Sequence, residues 1–166
     1  MLKVSRIASS LEGLALPADS LTQLRAVAAG RIGAVLLTGP SGTDRTHAAE
    51  ALAGAIGRDL MSVDLGRLVS RFVGETERNL DRLFATAEAS GAVLFFDEAD
   101  ALFGKRSDVK DSHDRYANVE VSYLLQKIEG HRGLVILASS VRQKIDPAFI
   151  RRLRHVVDLP WPPTGN

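Results

Sequence analysis

The stretch Ala34 to Thr46, AVLLTGPSGTDRT, decides the fold, because it joins three parts in a fixed order. Its apolar start, Ala34 to Leu37, predicts a buried parallel strand. A loop of sequence GPSG follows at residues 39–42, and an alanine-rich run from Thr46 to Ile56 predicts a helix. A strand, a glycine loop and a helix start in this order direct backbone N–H groups and the positive end of the helix at one anion.

The spacing in this stretch is that of the nucleotide-binding P-loop, G-x-x-x-x-G-K-[ST]. Gly39 and Thr46 match the motif, whereas Asp44 stands at the second glycine and Arg45 at the lysine. With these two mismatches, the motif alone leaves a simple strand-to-helix turn about as well supported as a phosphate site.

Composition indicates one soluble globular domain. Of the 166 residues, 45% are hydrophobic and 25% are charged, which is ordinary for such a domain. The net charge of +1 gives no field that would attract nucleic acid or an anionic membrane. The sequence has no cysteine, and it shows no signal peptide and no apolar run long enough to span a bilayer. We therefore expect no nucleic-acid or membrane partner and a cytoplasmic location.

The rest of the chain alternates strand and helix patterns, which predicts an α/β fold with a parallel sheet. Residues 1–18 form an N-terminal segment, 19–160 the core domain and 161–166 a tail, and residues 104–115 are predicted to be a mobile solvated loop. The expected strands are Ile32–Leu37, Leu60–Val63, Ala92–Phe96, Leu134–Ala138 and Val156–Leu159. Since ligands of parallel sheets bind beyond the carboxyl ends of the strands, the predicted site lies at that edge.

A second candidate site follows the third of these strands. Four apolar residues, Val93 to Phe96, lead directly into Asp97 and Glu98. Carboxylates that close a core strand usually have a partner. One can hold Mg²⁺, and the next can orient and deprotonate an attacking water. The alternative is a strand that ends in a solvated acidic turn.

From Leu21 to Pro160 the chain resembles the AAA family of P-loop ATPases. GPSGTDRT resembles the family's Walker A segment and FFDEAD its Walker B segment. SRFVGETERNL resembles the pore loop and the helix after it, LVILASS the sensor-1 strand, and IDPAFIRRLRHVV the segment with arginine fingers. The resemblance implies a three-layer α/β sandwich of the P-loop NTPase type, with five parallel strands in the order 5-1-4-3-2.

The resemblance also implies roles for individual residues. ATP would lie against the Walker A residues, with Thr46 and Asp97 on Mg²⁺ and Glu98 as the catalytic base. Ser140 would take the sensor-1 place, and Arg151 and Arg152 would act on a neighbouring subunit, although two cations at a helix C-terminus are also explained by the helix dipole. The Walker A residues are Gly39, Pro40, Ser41, Gly42, Thr43, Asp44, Arg45 and Thr46.

The pore loop would contain Phe72, Val73 and Gly74, with Phe72 contacting a protein substrate, unless Phe72 is an ordinary core aromatic. The resemblance further implies a homo- or hetero-oligomeric ring, a hexamer in the full-length form. The segment RYANVEVSYLLQKIEG resembles more narrowly the bacterial AAA proteins found with contractile injection systems.

Three departures from the family weaken the expected chemistry. The Arg45 guanidinium is a broad planar fork in place of a compact ammonium. Asp44 brings a carboxylate close to phosphate, and two like charges ~4 Å apart repel by about 4 kcal/mol at an effective dielectric of ~20. Ser140 shortens a polar arm that is usually asparagine. Two functions stay open: an ATPase of weakened activity in a protein-remodelling ring, and a pseudo-ATPase domain that serves assembly.

Overall fold

The computed structural model describes residues 2–5, 11–14, 16–30, 33–40, 42–68, 75–102, 112–140, 142 and 145–159. The strands are β1 (Leu2–Ser5), β2 (Gly33–Thr38), β3 (Leu60–Asp64), β4 (Val93–Asp97), β5 (Leu134–Ser139) and β6 (His155–Asp158). The helices are α1 (Ala18–Gly30), α2 (Gly42–Ile56), α3 (Leu65–Leu68), α4 (Glu75–Ser90), α5 (Ser112–Gly130) and α6 (Pro147–Ile150). Single 3₁₀ turns lie at Leu11–Gly13 and Ala99–Leu102.

The strands form one sheet with the order β1-β3-β4-β5-β2-β6. The five strands from β2 to β6 pair in parallel, which confirms the predicted order 5-1-4-3-2. The prediction lacked β1, which pairs antiparallel with β3 at the edge of the sheet. The β1 sequence, LKVS, alternates apolar and polar residues, but its four residues are at the lower limit of length at which alternation predicts a strand. Val4 in β1 is 54% exposed.

The sheet is covered by helices on both faces, as predicted for a three-layer α/β sandwich. Successive residues of β2 point to opposite sides, because side chains alternate along a strand. Ala34 and Leu36 belong to the core cluster that includes residues of α4 and α5. Val35 and Leu37 belong to the cluster that includes residues of α1 and α2. Burial on both faces explains why the central strands are almost continuously apolar.

Two helix boundaries differ from the predicted ones. α2 begins at Gly42 instead of Thr46, so Asp44 and Arg45 lie in its first turn. α5 begins at Ser112, so residues 112–115, predicted to be loop, are helical. These residues are polar and charged, and the hydrophobic period that marks a helix is absent from them. Within the described ranges, no helix combines the length and apolar composition that a membrane span requires.

A buried histidine lies at the edge of the sheet opposite the predicted site. The His131 side chain is 2% exposed and its ring packs edge-on against Phe84, with 5.3 Å between ring centroids. Neither ring nitrogen has a hydrogen-bond partner among the described residues. Burial lowers the pKa of His131, an effect that the Glu88 carboxylate 3.9 Å away opposes. The ring is therefore held neutral at pH 7, with two polar atoms unsatisfied.

Candidate functional site

The beginning of the P-loop is fixed between two neighbouring strands. The Gly39 N–H donates to the Ser139 carbonyl at 3.1 Å, and the Leu159 N–H donates to the Thr38 carbonyl at 2.6 Å. A Cβ atom at Gly39 would lie 2.9 Å from Leu159 Cβ, closer than two carbon atoms approach without displacement. The glycine thus lets the chain leave β2 close to β6 and turn toward the N-terminus of α2.

An open cleft of about 450 Å³ lies at this N-terminus, and we call it the P-loop cleft. The first N–H groups of a helix have no partner within the helix, and they carry its positive partial charge. α2 is 15 residues long, so its first turn forms one wall suited to an anion. The cleft is lined by Gly42, Thr43, Arg45, Thr46, His47, Glu50, Asp97 and Glu98.

The Arg45 side chain lies inside this site, 4% exposed, and joins its two sides. Its Nη1 donates to the Gly39 carbonyl at 2.5 Å, and its Nε donates to Asp97 Oδ1 at 3.3 Å. Its Nη2 is 3.6 Å from Glu98 Oε1. The structure therefore brings the two sequence motifs together, and a single guanidinium connects them.

Glu98 adopts a backbone conformation that is rare for residues other than glycine. Its φ is +56°, in the left-handed region, which costs a residue with a Cβ about 1–2 kcal/mol. Its N–H donates to Asp97 Oδ1 at 2.9 Å, and its carbonyl accepts from the Ala101 N–H at 2.9 Å. These bonds hold the Glu98 carboxylate at the cleft, as sequence reasoning proposed for a catalytic base, and such outliers cluster at functional sites.

The side chains that line the cleft carry more negative than positive charge. Among the described residues that line it, Arg45 is the one guanidinium, against the three carboxylates of Glu50, Asp97 and Glu98. Asp44 is not among the lining residues. Of the two Walker A departures, Arg45 is thus the one that alters the cleft directly. The charge balance weakens the attraction for phosphate that the helix start supplies.

The two serines at the end of β5 differ in burial and in their contacts. Ser139 is fully buried, and its hydroxyl donates to Asp100 Oδ1 at 2.9 Å. Ser140, predicted to occupy the sensor-1 place, is partly exposed and does not line the P-loop cleft. Sequence reasoning placed Ser139 at this edge of the sheet but did not identify its partner, because a serine at the end of an apolar strand gives no sign of what it bonds to.

The two predicted arginine fingers lie away from the P-loop cleft. Arg152 pairs with Glu129, with 2.6 Å between Nη2 and Oε2. Arg151 is exposed and lines a separate depression of about 410 Å³ beside α6. Asp146 caps α6, since its carboxylate accepts from the Ala148 N–H at 3.0 Å. Neither arginine contacts the cleft of its own chain.

Several predicted site residues lie either outside the described residues or outside the P-loop cleft. Ser41 and the pore-loop residues Phe72, Val73 and Gly74 lie outside the described residues. Pro40 is exposed and does not line the cleft. His47 and Glu50, which sequence reasoning left out of the site, do line it. Their positions four residues after Thr43 and Thr46, respectively, could have indicated this, because residues four apart share a helix face.

The fold and the P-loop cleft define an α/β domain of the nucleotide-binding P-loop type. The family model described as "ATPase family associated with various cellular activities (AAA)" matches residues 35–161. The chain therefore belongs to the AAA family, which confirms the resemblance.

Two relatives and one solved structure illustrate this membership. A proteasome-activating nucleotidase of Aeropyrum pernix is 36% identical over 77% of this chain and 33% of its own length. ATPase family gene 2 protein of Schizosaccharomyces pombe is 40% identical over 70% of this chain and 14% of its own length. The chain thus spans a third or less of these relatives. A crystal structure of the FIGL-1 AAA domain, 23% identical, covers 96% of this chain and 58% of its own with a TM-score of 0.73, and supports the fold.

Proposed function

We propose that this chain is the AAA module of a ring-forming, protein-remodelling machine, and that its own cleft binds and hydrolyses ATP weakly. The observation that carries the proposal is the meeting of the α2 N-terminus with Asp97 and Glu98 at one cleft, bridged by Arg45. The helix start supplies donors for phosphate oxygens. Glu98, which lines the cleft, would orient and deprotonate water.

Ring assembly and a protein substrate enter the proposal by family membership. One relative is named a proteasome-activating nucleotidase and another a cell division cycle protein 48 homolog, which fits a remodelling machine. Arg151 and Arg152, outside the P-loop cleft, would act on a neighbouring subunit of the predicted hexamer. Phe72 would contact the substrate. A cytoplasmic location and a link to contractile injection systems remain predictions.

Magnesium does not fit the cleft as arranged. The family implies ATP with Mg²⁺, for which the sequence offers Thr46 and Asp97. In the structure, the Arg45 Nε–H and the Glu98 N–H both donate to Oδ1 of Asp97. Among the described residues, no three histidine or carboxylate side chains are grouped so as to hold a metal ion. The proposed mechanism therefore uses the groups of the chain and includes no step through the metal.

A pseudo-ATPase is the second candidate, and the same guanidinium favours it. Arg45 already pairs with both Asp97 and Glu98, and the described residues that line the cleft include more carboxylates than cations. Such a domain would keep the AAA fold for assembly but would not hydrolyse ATP at its own site.

Calorimetric titration with Mg-ATP tests the proposal on four proteins: the parent chain, Asp44→Gly, Arg45→Lys and the double variant. We expect the double variant to bind clearly more tightly than the parent. Arg45→Lys should supply most of the gain, because Asp44 does not line the cleft. The two changes should be non-additive, because they act on one ligand.

Hydrolysis distinguishes the two candidates. In the weak-ATPase case, the parent shows a slow rate that Glu98→Gln removes while binding is kept. A pseudo-ATPase shows no rate above the Glu98→Gln background. If the double variant fails to bind Mg-ATP at all, the weak-ATPase proposal is wrong, and the pseudo-ATPase, a module with little or no nucleotide binding, is the candidate that stands.

A further inference from the structure

The Arg45 guanidinium occupies the position between the P-loop and Asp97 that a bound cation would need. It contacts the Gly39 carbonyl, the Asp97 carboxylate and, at a longer distance, Glu98. The Arg45 residue is only 3% exposed, so these contacts lie within the folded body of the domain. A positive charge is therefore already fixed between the two motifs by the chain itself.

The guanidinium keeps donors for a further ligand. An arginine side chain has five N–H donors in a planar fork. Nε uses one on Asp97, Nη1 uses one on Gly39, and one on Nη2 faces Glu98. Two remain, one on each terminal nitrogen. A phosphate oxygen can therefore bind Arg45 while the contact with Asp97 persists, which a lysine ammonium on a narrow stem cannot match in geometry.

A divalent cation at Asp97 would compete with this arrangement. Two N–H groups already donate to Oδ1 of Asp97. A divalent cation a few ångströms from the guanidinium would be repelled by it, because both carry positive charge. Magnesium also demands near-octahedral oxygen ligands and gives up its waters reluctantly. Binding the metal at Oδ1 would require Arg45 to leave Asp97, and binding it at the other oxygen would bring two positive charges to one carboxylate.

We propose that Arg45 takes the place of a divalent cation at Asp97, so that the P-loop cleft binds a nucleoside di- or triphosphate without metal. This inference rests on the proposed nucleotide site and specifies the form of its ligand. Arg45 acts as a specificity-determining residue, because it replaces the metal requirement with a fixed charge.

Fluorescent ADP binding, measured with saturating magnesium chloride and with excess EDTA, tests the inference. For the parent chain we expect dissociation constants that agree within about twofold. For Arg45→Lys we expect binding at least about tenfold tighter with magnesium, a difference of about 1.4 kcal/mol. Arg82→Lys, the same change at an exposed position of α4, should behave like the parent. A parent affinity that rises tenfold with magnesium would overturn the inference.

Manganese tests, without any nucleotide, whether Arg45 excludes a divalent cation from Asp97. Mn²⁺ is added to the nucleotide-free, ¹⁵N-labelled chain, and paramagnetic broadening of the Asp97 and Glu98 amide signals is recorded. We expect no broadening in the parent and broadening in Arg45→Ala. Broadening in the parent, or in neither protein, refutes the inference. Nucleotide binding that needs magnesium in the parent would refute the inference while leaving the proposed function standing, whereas absence of nucleotide binding from every variant would refute both.

Discussion

Replacing Arg45 by methionine tests whether the guanidinium holds the two motifs together. Methionine keeps the helix propensity and the apolar stem of arginine, so the variant removes mainly the polar head. The buried Gly39 carbonyl would lose its partner, which costs about 1–3 kcal/mol. Asp97 and Glu98 have side chains 30% and 56% exposed, so their ion pairs add only about 0–1 kcal/mol.

We therefore expect Arg45→Met to lower the free energy of unfolding by about 2 kcal/mol. At about 2–4 °C per kcal/mol for a domain of this size, the melting temperature would fall by about 4–8 °C. Urea unfolding followed by circular dichroism gives the free energy directly. The matched control is Arg152→Met, which breaks the half-exposed pair with Glu129 and should cost no more than about 1 kcal/mol. Equal losses in the two variants, or no loss in Arg45→Met, would refute the bridging role.

Three further changes probe other contacts. Gly39→Ala should destabilise the domain by about 1–3 kcal/mol through the contact with Leu159; unfolding at parental denaturant concentrations would contradict this. His131→Phe should stabilise it by about 1 kcal/mol, because it removes two unsatisfied buried nitrogens. In the folded protein the pKa of His131 lies below its ordinary 6.5. As the pH falls, His131 is therefore protonated first in the unfolded chain, and the parent loses stability below neutral pH. The variant should not show this pH dependence of stability. The pKa of Asp81 is lowered mainly by the hydrogen bond from the Tyr123 hydroxyl and less by Lys127, so Tyr123→Phe should raise it. A carboxyl NMR titration that shows no change in the pKa of Asp81 would count against that hydrogen bond.

Sequence patterns predicted most of the architecture, for a local physical reason. Parallel strands buried on both faces must be apolar along their whole length, so runs such as Val93–Phe96 can be recognised as strands from the sequence. The order of the five parallel strands came from the family resemblance, and the sheet confirms it. The edge strand β1 was missed because its alternation covers only four residues, and the start of α5 was missed because it carries no hydrophobic period.

For the candidate site, too, one part could be predicted from the sequence and another part could not. The sequence by itself determined that Gly39, Thr46, Asp97 and Glu98 belong to two motifs at the carboxyl edge of the sheet, because that edge follows from strand direction. It also marked Arg45 as a departure from the P-loop motif.

Only the tertiary structure decided what this departure does. Arg45 and Asp97 are 52 residues apart in the chain, and no local pattern shows that one side chain reaches across from α2 to the end of β4. The same holds for Ser139 and Asp100, 39 residues apart. Such pairs depend on how the ends of neighbouring strands meet, whereas strand and helix patterns depend on each element's own burial.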